Sequence, residues 1–122
     1  MMRDIKESDW KILRKLHPEA VERFCKQVLF EIEDINSDTA KTFHRRYLDI
    51  YEGLHRRDKE MAQIFNGLRR STALIQLASM KARGLLTEDE FMRFSQETQS
   101  AVDLMLGDDP SARNYHNDLK ES

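Results

Sequence analysis

Hydrophobic positions recur along this chain at intervals of three and four residues, and nowhere do they alternate in twos. That period belongs to helices with one buried stripe. The clearest stretch is Val21, Cys25, Val28, Ile32 and Ile35, with Phe24 and Leu29 widening the stripe. Phe43, Tyr47, Ile50, Leu54, Met61 and Ile64 repeat the spacing further on, flanked by Tyr51 and Phe65. The short polar run Asn36-Ser37-Asp38 lies between the two. The pattern predicts an all-α protein, a helical bundle built on a long antiparallel hairpin with helices at about 18–35 and 38–66.

The second of these helices would hold about 29 residues and span about 43 Å. Before the hairpin, Ser8 can cap a short helix carrying Trp10, Leu13 and Leu16, which His17-Pro18 is expected to end. After it, Gly67 offers a left-handed stop. Ala73–Arg83 then reads as a helix apolar around most of its circumference, and Gly84 closes it. Thr87-Glu88-Asp89-Glu90 is a capping box opening a short helix with Phe91, Met92 and Phe94. Ser95 can cap a last helix ending near Leu106. Residues 1–107 read as one helical domain and 108–122 as a polar, mobile tail.

Composition agrees with the pattern: 34% of residues are charged, and there are only four glycines and two prolines. The net charge of −2 favours no class of partner. Its distribution says more. Residues 61–87 carry Arg69, Arg70, Lys81 and Arg83 without an acid, whereas 88–122 carry nine acids against three bases. These segments are expected to neutralise one another. The N-terminus has no secretory pattern, no apolar run is long enough for a bilayer, and a single cysteine excludes an internal disulfide. A cytoplasmic protein is expected.

Candidate chemistry is sparse. His44-Arg45-Arg46 and His55-Arg56-Arg57 form an echo eleven residues apart on one helical face. The two histidines stand about 16 Å apart along the axis, too far to share a metal within one chain. Cys25 sits in an apolar stripe, where a thiol behaves as a small hydrophobe. No nucleophile has an evident base, and the glycines stand singly, so no phosphate loop exists. The sequence suggests no catalytic residue, metal or cofactor.

Two surfaces remain. The long helix is more apolar than one hairpin partner requires, and its stripe is interrupted by Arg57 or Asp58. Tyr47, Ile50, Leu54, Arg57, Asp58 and Met61 are therefore the candidate residues for a protein interface, with a homodimer as the expected assembly. The alternative is a nucleic-acid-associated factor using Arg45, Arg46, Arg56, Arg69 and Arg70, although Asp49, Glu52, Asp58 and Glu60 interleave with them. A third reading is an enzyme or metal protein whose site forms between subunits.

Overall fold

Helix α1 spans Glu7–Ser37 and passes through Pro18 without a break. The expected stop at His17-Pro18 is thus corrected: one helix of 31 residues, about 46 Å long, replaces two. Proline removes the bond to the carbonyl of Arg14, but Arg14 and Pro18 both face solvent, where water can serve that carbonyl. Leu13, Leu16, Ala20 and Phe24 form one buried stripe across the proline. His17 fastens the same turn, its Nε2 lying 3.3 Å from the Phe65 carbonyl oxygen and its ring edge-on to that of Phe65. Tertiary packing on both sides of Pro18 outweighs the local preference.

The structure, a computed structural model, describes residues 4–107. The tail expected at 108–122 lies outside the described residues. Helix α2 spans Phe43–Phe65, α3 Ala73–Ala82, α4 Glu88–Met92 and α5 Gln96–Met105, and no strand occurs among the described residues. The expected all-α hairpin bundle is what the chain forms. The hairpin turn sits later than the polar run suggested: α2 starts at Phe43, where the Thr42 side chain accepts from the Arg45 N–H at 3.0 Å. None of the described helices is long and apolar enough to cross a membrane.

The core lies at one end of the hairpin. Its buried residues come from 5–24 and 64–102, among them Leu13, Phe24, Ile64, Leu77, Met80, Leu85 and Val102. Between Cys25 and Gln63 no residue is fully buried. The molecule is therefore a helical head from which the outer part of the α1–α2 hairpin projects as an arm. The head is tied together by two carboxylates. Asp9 of α1 accepts from Ser95 and Thr98 at the start of α5. Glu90 completes the Thr87 capping box and also accepts from Arg23 of α1.

Within the arm, Gly53 of α2 faces α1. A Cβ there would meet Ile35 Cδ1 at 3.8 Å, an ordinary contact, and the backbone is helical. Gly53→Ala is therefore expected to stabilise the fold by about 0.5–1 kcal/mol through helix propensity. A denaturant midpoint that falls instead would mean the two helices cannot accept a methyl between them.

Candidate interaction surface

The arm has two unlike sides, and helical periodicity explains both. On α2, residues 43, 47, 51, 54 and 58 follow one stripe, turned away from the positions that face α1. Four of these are large and apolar, and all are exposed: Phe43 84%, Tyr47 66%, Tyr51 62% and Leu54 45%. Leu29 of α1, 61% exposed, lines a groove together with Leu54, the last of the four. The two helices leave a groove of about 350 Å³ on this side, walled by Phe24, Cys25, Val28 and Leu29 of α1 and by Leu54, Arg57, Asp58 and Met61 of α2.

The other side is ionic. Arg56 donates to Glu31 at 2.7 Å, and Arg57 donates to Glu31 at 2.9 Å and to Glu60 at 3.0 Å. Arg83 of the head also donates to Glu60 at 3.0 Å, extending the network from arm to head. The Arg57 guanidinium lies 5.7 Å from the centre of the Phe24 ring. Its pKa is raised chiefly by the hydrogen bond to Glu31, against the effect of burial. The charged layer that interrupts the apolar stripe is thus resolved within one chain: Arg57 is paired across the hairpin, and Asp58 is left exposed on the groove's rim.

The six residues expected at an interface divide accordingly. Tyr47 and Leu54 are exposed on the apolar side, and Asp58 lies at its edge. Met61 closes the base of the groove and packs against the core. Ile50 is half-buried, and Arg57 belongs to the ionic network. The sequence reading underweighted Phe43, the most exposed large hydrophobic among the described residues, and the α1 wall of the groove. Leu29, one place beside Val28 in the stripe, was the available signal for that wall.

The arginines proposed for nucleic acid are mostly engaged. Arg45 lies 3.4 Å from Asp49, and Arg46 donates to the Asn36 carbonyl at 2.7 Å while its guanidinium lies 4.6 Å from the centre of the Phe43 ring, which it leaves largely exposed. Arg56 is held by Glu31 and Arg70 by the Ile5 carbonyl at 2.9 Å. Arg69 is exposed, and its side chain makes no hydrogen bond or ion pair among the described residues. His55 stacks on Tyr51, ring centroids 6.2 Å apart and planes 2° from parallel. No group of three or more His, Cys, Asp or Glu side chains among the described residues is placed to hold a metal ion.

Of the basic and acidic segments expected to neutralise one another, Lys81 and Asp103 meet at 2.6 Å. Compared with known proteins, the chain matches no family model, no curated protein and no solved structure.

Proposed function

We propose that this chain is a small helical interaction protein, without a catalytic site of its own, that self-associates through the apolar side of its arm. The observation that carries the reading is the concentration of large, exposed apolar side chains there. Phe43, Tyr47, Tyr51 and Leu54 follow one another along a single stripe and lead into an open groove. Monomeric soluble proteins seldom expose a contiguous patch of this kind unless something binds it. The head supplies the stability, so the arm's outer surface is not needed to complete the core.

A cytoplasmic setting belongs to the same proposal, on the strength of the single, half-buried thiol of Cys25. Association with nucleic acid has less support, because four of its five candidate arginines are already held by protein oxygens.

Sedimentation equilibrium tests the reading. The protein is expected to be dimeric at tens of micromolar. A Tyr47→Glu/Tyr51→Glu variant should keep its helical circular dichroism while its dissociation constant rises roughly tenfold or more. A wild-type chain that stays monomeric at that concentration would remove the proposal.

A further inference from the structure

The knob and the groove of the apolar side lie at opposite ends of one stripe, and their spacing specifies what can cover both. We propose that the occupant is a second copy of this chain laid antiparallel along α2, with Phe43 of each copy seated in the other's groove. The inference rests on the proposed self-association through the apolar side, and adds to it the register in which the two copies meet. Phe43 opens α2, whereas the groove's wall on that helix centres on Asp58, fifteen residues or about 22 Å further along. A two-fold axis crossing α2 midway, beside Tyr51, carries each Phe43 onto the other groove, so one operation fills both.

The same register sets Tyr47 against Leu54 of the second copy and each Tyr51 beside its counterpart. Parallel pairing would set Phe43 against Phe43 and leave both grooves open. A short amphipathic helix from another protein could fill the groove, but Phe43 would remain uncovered 22 Å away unless that helix also carried a matching cavity.

Area and charge agree with a second copy. At ~200 Å² for a large side chain, the exposed parts of Phe43, Tyr47, Tyr51, Leu54 and Leu29 offer roughly 600 Å² per copy. A standard interface needs about 800 Å² per partner, and a polar rim supplies the difference. At that rim the Asp58 side chain makes no hydrogen bond or ion pair among the described residues, and the His44 side chain is likewise unengaged. The proposed register brings Asp58 of one copy to His44 of the other, an acceptor to a donor, at both ends of the interface.

Cysteine cross-linking in a Cys25→Ala background tests the register. A His44→Cys/Asp58→Cys variant should form a covalent dimer on mild oxidation, with the link mapped between positions 44 and 58. Within one chain these positions stand about 21 Å apart along α2, beyond the reach of a disulfide. His44→Cys alone should stay unlinked, and Phe43→Ala should raise the dissociation constant roughly tenfold or more. A link formed by His44→Cys alone, or none in the double variant while sedimentation shows it dimeric, would overturn the antiparallel register but leave the docking surface standing. A monomeric wild-type chain would overturn both.

Discussion

Replacing Asp9 with alanine is expected to destabilise the fold by about 3–5 kcal/mol, lowering the melting temperature by about 12 °C or more. Asp9 is 1% exposed, in the first turn of α1. One of its oxygens accepts from the Ser95 N–H at 2.8 Å, and the other accepts from the hydroxyls of Ser95 and Thr98, both at 2.6 Å. Burial pushes the carboxyl's pKa up, and these hydrogen bonds more than reverse it, so the net shift is downward. Alanine would leave three donors without their acceptor, among them the buried Thr98 hydroxyl, and hydrogen bonds to a charged group contribute about 1.5–3 kcal/mol each. Asp9→Asn should be milder, because the amide keeps one acceptor. Thermal unfolding followed by circular dichroism measures both. A loss under 1 kcal/mol in the alanine variant would mean that α5 holds its place without this contact.

The local parts of the fold were legible because their causes are local. The Thr87–Glu90 capping box forms, with reciprocal bonds of 2.9 and 3.1 Å. Ser95 caps α5, accepting from the Thr98 N–H. The chain turns through a left-handed glycine after both α2 and α3, at Gly67 and Gly84. What escaped the linear pattern depends on residues far apart in sequence. Nothing near Pro18 announces that Phe65 will brace His17 from across the head. Nothing near Asp9 marks it as the partner of Ser95, 86 positions later.

The arm was legible in one respect and not in another. The spacing on both helices showed more apolar surface than one hairpin could bury, and it placed a charge inside that stripe. It could not say which side of the hairpin the head would occupy. Arg83 of the head reaches Glu60, and Gln27 reaches the Arg83 carbonyl at 3.4 Å, so the head meets the ionic side of the arm. The surplus apolar side chains are thereby left on the opposite side. Exposure there is a consequence of topology, and so is the groove.

Acid should release the head through Glu90. This carboxylate is 6% exposed, and two structural demands meet on it: it accepts from the Thr87 N–H at the start of α4, and it binds Arg23 of α1 through both oxygens. The same guanidinium donates to the Leu85 carbonyl at 2.9 Å. The Arg23 hydrogen bonds, opposed by burial and aided by Thr87, lower the Glu90 pKa from 4.5 to about 2. A pKa depressed in the folded state means that the unfolded chain binds the proton more tightly. The stability this confers, about 3 kcal/mol, is present in full above about pH 4.5 and declines as the pH falls towards 2. Glu90→Gln should forfeit a similar amount at pH 7, and its stability should change correspondingly less between pH 5 and about 2. Asp9, shifted in the same direction, adds to the acid loss in both proteins, so the comparison between them isolates Glu90. Denaturant unfolding at a series of pH values supplies the test. Wild type and variant losing stability in parallel across that range would show that the contact between Arg23 and Glu90 contributes nothing to the folded state.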